Sequence, residues 1–236
     1  MINNTSKPLI FLGSSYNIHW LVDVAERIGF TIAGIIDDDY HGQGQFQDIP
    51  VIARQQELFD KPDYFQQFQF FCATNWQPSD LVDVNQKRNT EKRNQIINVL
   101  DQLNLDVATI ISSSAEVSKY KTSIGKGTFI DSFCLVSPYV TIGNYTNLYS
   151  HSNVGDHVTI GNNCMIQRNT QIIGDVTLGN DVYMGFYSLA GRRHMNIADG
   201  TFVHPSITVL RDTKPNEIIS LAGKDLRKIY NRIKDE

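Results

Sequence analysis

From Ile142 to Ala190 the chain reads IGNYTNLYSHSNVGDHVTIGNNCMIQRNTQIIGDVTLGNDVYMGFYSLA. Every sixth residue is apolar, and the rule reaches back to Ile124: Ile124, Ile130, Val136, Ile142, Leu148, Val154, Ile160, Ile166, Ile172, Leu178, Met184 and Ala190 form one unbroken series. Asn196 interrupts it, and Ile197, Val203 and Val209 resume it one residue late. The fourth residue after each anchor, from Thr128 through Cys134, Ser152, Val158 and Cys164 to Ser188, is small or β-branched, and His194 breaks that second series. A period of six fits neither an amphipathic helix nor a lone alternating strand. It is the mark of a stacked repeat, a parallel β-helix of hexapeptides. The anchor points into a triangular prism, the small residue lets three faces meet, and the Gly after many anchors (Gly143, Gly155, Gly161, Gly179) is expected to open the bend that follows. Three hexads make one coil, so equivalent residues of successive coils stack about 4.8 Å from each other. The strands of a β-sandwich would not hold one period through so many turns.

The first hundred residues follow a different pattern. Pro8 to Gly13 reads as a buried strand, and His19 to Gly29 as a helix with Leu21, Val22, Ala25 and Ile28 at helical spacing. Thr31 to Ile36 is a second strand, closed by Asp37, Asp38 and Asp39, which completes a βαβ unit. Ile49 to Ile52 and Phe68 to Ala73 read as further strands, Gln55 to Phe59 as a helical turn, Glu91 to Leu103 as a helix with Ile96, Ile97, Leu100 and Leu103 on one face, and Val107 to Ile111 as a last strand. The expected division is a Rossmann-like α/β domain over 1–111, the prism over 112–212, and a tail over 213–236. The tail holds the apolar segment from Ile218, able to add a strand, and a basic amphipathic helix.

Composition narrows the function. A net charge of −4 with no basic run argues against nucleic acid as a partner. No apolar stretch approaches the length of a membrane span, and the amino-terminal MINNTSKP lacks a signal-peptide core. Cys72, Cys134 and Cys164 form no motif; Cys134 and Cys164 fall on inward small positions and read as buried reduced thiols in a cytoplasmic protein.

An α/β unit followed by a hexapeptide prism resembles the sugar O/N-acyltransferases of the sialic acid O-acetyltransferase and bacillosamine N-acetyltransferase type, over nearly the whole chain. The resemblance implies a left-handed prism, although most parallel crossovers are right-handed. It also implies a homotrimer, acetyl-CoA as co-substrate with no metal, and a nucleotide-linked amino sugar or sialic acid as acceptor. In that family the first strand runs into a G-x-G-G-H loop. Here Gly13-Ser14-Ser15-Tyr16-Asn17 stands in its place and keeps only the first Gly. Such a loop brings backbone close to a phosphate at a helix N-terminus. Ser14 and Ser15 still offer donors, whereas Tyr16 crowds the path. Asp37, Asp38 and Asp39 match the acidic end of the family's second strand, where an acid bonds ribose or base. Without the resemblance they are a solvated strand end.

The family's catalytic His precedes an acid, four and three positions before the Ile-Gly of the next hexad. Ile173 to Gly179 resembles the family's x-G-x-V-x-I-G stretch. One coil earlier lies Ile160-Gly161, and four and three positions before that stand Asp156 and His157, the right residue types in swapped order. Acyl transfer needs a base for the attacking amine or hydroxyl, and histidine is suited to it. Stacking coil upon coil puts Tyr139, His157, Asp175 and Arg193 on one edge, with Asp175 a second possible carboxylate partner of His157. The same edge is also readable as a solvent-exposed stripe. His151 is the rival base, in the column Phe133, His151, Asn169, Tyr187, where Asn169 would fix its tautomer. The resemblance places Gly174 and Gly185 beside the pantetheine arm, and the basic Arg192-Arg193-His194 can meet CoA phosphates. His194 is expected to form the one-residue bulge. The last coil is Gly-rich in the family and reads His204-Pro205-Ser206 here.

Two other functions compete with acyl transfer. A non-catalytic trimeric homologue, a ligand binder or scaffold, is suggested by the swapped Asp-His. A zinc enzyme of the γ-carbonic anhydrase type uses the same prism with three histidines from two protomers; His151 and His157 lack a stacked third ligand. Sugar recognition is assigned to the first domain, and residues 112–236 alone are expected to bind CoA.

Overall fold

In a computed structural model the chain is described over residues 6–15, 18–74 and 91–220. The helix expected in the tail, and Tyr16 and Asn17, lie outside them. The first domain runs β1 (Leu9–Leu12), α1 (Ile18–Arg27), β2 (Ile32–Ile36), β3 (Gln45–Phe46), β4 (Ile49–Ala53), α2 (Gln55–Asp60), α3 (Pro62–Phe65), β5 (Gln69–Cys72) and α4 (Glu91–Gln102). The sheet order is β3-β4-β2-β1-β5, parallel except for the β3–β4 hairpin. Alternate residues of a strand face opposite sides. Leu9 and Phe11 therefore pack with Leu21, Val24 and Ala25 of α1, while Ile10 and Leu12 pack with Ile96 and Leu100 of α4. The chain runs outward from β1 to β4 and returns on the far side as β5. The carboxyl ends of β1 and β5 thus form a topological switch point, the ligand edge of an open α/β sheet.

The remainder is a left-handed parallel β-helix. Its first face holds seven two-residue strands, from Ile110–Ile111 through Phe129–Ile130 and Tyr183–Met184 to Ile218–Ile219. The second holds six, from Glu116–Val117 to Thr208–Val209, and the third five, from Ser123–Ile124 to Met195–Ile197. Each strand pairs with the one three hexads further on, as Leu135↔Asn153 and Thr159↔Thr177 show. The anchors and small residues fill one core from Ile130 to Val209. Val107–Ile111 is divided between the domains: Val107 bridges Phe70, whereas Ile110–Ile111 pairs with Phe129–Ile130 and opens the prism. Ile218–Ile219 pairs with Phe202–Val203 as the last strand of the first face.

The glycines after the anchors do a different job from the one expected. Gly143, Gly155, Gly161 and Gly179 are not among the positive-φ residues; the left-handed residue comes two positions later, at the corner. These glycines are needed because coils approach closely there: a Cβ on Gly161 would lie 2.5 Å from Gly179 O, and one on Gly155 2.6 Å from Gly174 N. Next to them runs a ladder of side-chain oxygens from Asn and Asp. Asn162 Oδ1 accepts from Asn144 N–H, Asn180 Oδ1 from Asn162 N–H, and Asp199 Oδ1 from Asn180 N–H, each at 2.8 Å.

The outward residues distinguish the faces. On the third face Ser123, Thr141, Thr159 and Thr177 are exposed. On the first, Phe129, Asn147, Met165 and Tyr183 are buried, because the α/β domain lies on them. Two polar clamps fix that seam. The buried Asp131 carboxylate accepts from Trp20 Nε1 (2.8 Å) and from the N–H groups of Ser132 and Ser150. The fully buried Arg93 of α4 donates to Thr74 O (2.7 Å) of the first domain and to Tyr145 O (2.6 Å) and Asn163 Oδ1 (2.7 Å) of the prism.

Candidate active site

Each hexad turns through a corner residue in the left-handed region, and the corner between the second and third faces carries His157 with φ 57°. That backbone throws the side chain outward. Tyr139, one coil below, lies flat under the imidazole at 4.5 Å and 9°. Tyr120 meets Tyr139 edge-on, and Lys121 Nζ lies 5.2 Å from the Tyr139 centroid. His157 Nδ1 faces Asp156 Oδ2 at 2.9 Å. The hydrogen bond from His157, with the charge of Arg193 adding to it, holds the Asp156 carboxyl below the usual carboxylate range. Nε2 of His157 has no hydrogen-bond partner among the described residues. The swapped order is thus compatible with the pairing, because at an outward corner the preceding side chain reaches the ring.

Asp175, the corner residue one coil above, is not the partner of His157. It is held by Arg193, whose Nε donates to Asp175 Oδ2 at 2.7 Å. Arg193 does not occupy the corner above Asp175. Val176 pairs with Met195, so His194, with φ 54°, is the corner residue and Met195 takes the inward small place. The extra residue of the repeat therefore lies in the Arg192-Arg193 pair and not at His194. Arg192 donates to Asp212 at 2.7 Å, so both arginines are committed to carboxylates.

His151 sits at the corner between the first and second faces, stacked on Phe133 at 5.1 Å and 18°. No side chain among the described residues hydrogen-bonds its ring, and Asn169 does not fix its tautomer. A Cβ on Gly174 would fall 2.7 Å from Asp156 Oδ1, and one on Gly185 2.5 Å from Pro205 N. Both glycines make room for atoms of this chain. Among the described residues no group of three His, Cys, Asp or Glu side chains is gathered to hold a metal ion.

In the first domain Gly13 has φ +77°, and a Cβ there would collide with Thr74 Oγ1 and Ile96 Cδ1. Ser14 Oγ donates to the buried Asp37 at 2.8 Å, and Lys92 spans Asp37 (3.3 Å) and Asp39 (2.6 Å). Asp38 accepts from Gln55 N–H at the start of α2. The hydroxyls of Ser15 and Thr74 are buried without partners among the described residues, at the switch point. Lys92, Arg93 and Trp20 were not singled out by the sequence. The helical spacing that put Ile96, Ile97 and Leu100 on one face of α4 also turns Arg93 inward, which was the available signal.

A family model described as bacterial transferase hexapeptide (six repeats) matches residues 157–191. No curated protein sequence matches the chain. Among solved structures, a mutant of perosamine N-acetyltransferase from Caulobacter crescentus, in complex with CoA and GDP-perosamine, is 17% identical, with a TM-score of 0.71 over 89% of this chain and 92% of that one. WeeI from Acinetobacter baumannii is 15% identical, with a TM-score of 0.72 over 89% and 95%. The acetyltransferase domain of PglB from Neisseria gonorrhoeae is 18% identical, with a TM-score of 0.50 over 90% and 95%. These likenesses establish a shared two-part fold.

Proposed function

We propose that the chain is an acyl-CoA-dependent acyltransferase, with acetyl-CoA as donor and the amino or hydroxyl group of a nucleotide-linked sugar as acceptor, in cytoplasmic glycan biosynthesis. The observation that carries this reading is the His157–Asp156 pair on an outward corner, with Nδ1 engaged and Nε2 free to accept a proton. The shared fold supports it, since solved proteins of that fold are described with CoA, acetyl-CoA and GDP-perosamine. Nε2 takes the proton of the attacking amine or hydroxyl as its nitrogen or oxygen bonds to the thioester carbonyl carbon. The tetrahedral intermediate then collapses, the carbon–sulfur bond breaks, and the CoA thiolate leaves with the proton from the imidazolium. Asp156 stabilises that cation.

The acceptor would enter over the switch point of the first domain, where Gly13, Ser14, Ser15 and the Asp37–Asp38 strand end meet. Asp37 and Asp38 already hold Ser14, Lys92 and α2, so among the described residues Ser15 and Thr74 are the side chains there with hydroxyls still unpartnered for a ligand. That domain covers the first face, whereas His157 stands on the edge between the other two. The domain that serves His157 therefore belongs to a neighbouring subunit, as a homotrimer would allow. The donor would lie along the same edge, past Gly174 and Gly185, with Arg192 and Arg193 released to its phosphates only by breaking the ion pairs described.

Thiol release from acetyl-CoA, measured with a panel of nucleotide-linked amino sugars, tests the reading. His157→Ala should lose about a hundredfold or more in kcat while the melting temperature stays put. A chain that binds sugar nucleotide but turns over none of the panel would favour the non-catalytic homologue, for which the swapped residue order speaks. Full activity in His157→Ala with loss in His151→Ala would move the site to the other corner.

A further inference from the structure

An imidazole that accepts a proton through Nε2 must carry its own on Nδ1, and the partner of Nδ1 selects that tautomer. The acceptor here is Asp156 Oδ2. Asp156 lies on the surface, with 46% of its side chain exposed, and a carboxylate so placed is free to rotate unless something pins it. The coil above supplies both the room for it and the group that holds it. Gly174 lacks the Cβ that would stand 2.7 Å from Asp156 Oδ1. Arg193 brings Nη2 to 3.4 Å from Oδ2, the same oxygen that meets His157. Arg193 is itself anchored on Asp175. The extra residue of the repeat makes this contact available, because it leaves Arg193 one place before the corner and gives the corner to His194. The other groups on this edge, Tyr139 beneath the ring and Lys121 over Tyr139, make no hydrogen bond to the imidazole among the described residues.

We propose that Arg193 is a positioning residue: pinned on Asp175, it holds Asp156 in the space left by Gly174 and so keeps His157 in the Nδ1–H form, with Nε2 ready to accept. The proposal rests on His157 being the base. It sets aside a phosphate-binding role for Arg193, which would have to leave two carboxylates to perform it.

The test is 15N NMR of the full-length protein labelled at histidine, with the His157 signals assigned by their absence in His157→Gln. The two neutral tautomers differ widely in their nitrogen shifts. Wild type should show the Nδ1–H form, and Arg193→Met should move toward the Nε2–H form or a mixture, with Arg193→Lys restoring the wild-type state. Gly174→Ala reaches the same carboxylate independently and should produce the same change. In turnover, Arg193→Met should lose about tenfold in kcat, less than removal of the base itself, with KM for acetyl-CoA unchanged. An unchanged tautomer in both Arg193→Met and Gly174→Ala overturns the proposal. So does a raised KM for acetyl-CoA with kcat and tautomer intact, which makes Arg193 a phosphate ligand. The tautomer is read without turnover, so failure to find an acceptor sugar leaves this test in force.

Discussion

His157, the proposed base, adopts a backbone conformation that costs a non-glycine residue about 1–2 kcal/mol. Its neighbours along the chain do the same: at ten successive corners from Phe133 to Tyr187, φ lies between 54° and 61°. The strain therefore belongs to the repeat and is no mark of catalysis. Many corners hold His, Asn or Asp, which tolerate this region better than most side chains. His157→Asn should accordingly keep the wild-type melting temperature and lose acyl transfer. Gly161→Ala should do the opposite: its Cβ would lie 2.5 Å from Gly179 O, and relieving the clash should cost about 1–3 kcal/mol in a thermal melt. Periodicity alone located both kinds of residue. It misassigned the role of the glycines, because a glycine wanted for φ and one wanted for close approach look alike in one sequence. It also could not tell which carboxylate meets His157, since Asp156 and Asp175 are both one step away in the repeat.

The seam between the two parts is held by single side chains from helices. Arg93 of α4 is fully buried and donates to Thr74 O, Tyr145 O and Asn163 Oδ1. Arg93→Met would leave these acceptors buried and unpaired, at about 1–3 kcal/mol each. A loss of about 3 kcal/mol or more in chemical denaturation is expected, with thiol release per folded molecule unchanged. The end of the prism has its own clasp. Glu217 accepts from Arg211 and from Lys214 N–H, and these bonds hold its carboxyl down at about 2. A carboxyl with an unfolded pKa near 4.3 contributes this stability fully above that value and loses it as pH falls toward 2. Amide protection around Ile218–Ile219, taken relative to the intrinsic exchange rate at each pH, should therefore fall between about pH 4 and pH 2 in wild type, and be low throughout in Glu217→Gln. Neither clasp was legible beforehand: α4 showed its apolar stripe in the sequence, but the partner of Arg93, Asn163, lies far along the chain in the middle of the prism. The strand at Ile218 was legible as a short apolar segment in the tail, although it falls off the six-residue series.

The two parts of the molecule share one apolar seam. Phe129, Met165 and Tyr183 point out of the prism and are buried beneath the α/β domain. The expectation that residues 112–236 would stand alone and bind CoA meets this fact, since the truncation would bare that face. Such a fragment should aggregate unless Phe129, Met165 and Tyr183 are replaced by Thr, as on the third face, and light scattering of the two fragments compares them directly. The clue was in the sequence at the spacing of one coil, where large apolar residues recur on one outward position in three. What the prism separates most cleanly is what must stay constant from what is free to vary. Inward sites and close-approach glycines bear the architecture, and corner side chains bear the proposed chemistry. No corner residue needs to be changed to keep the stack, and no anchor needs to be changed to alter the edge. Evolution can thus rewrite one alphabet without disturbing the other. Such a molecule can stand at 15–18% identity to proteins of its own shape and keep the stack intact.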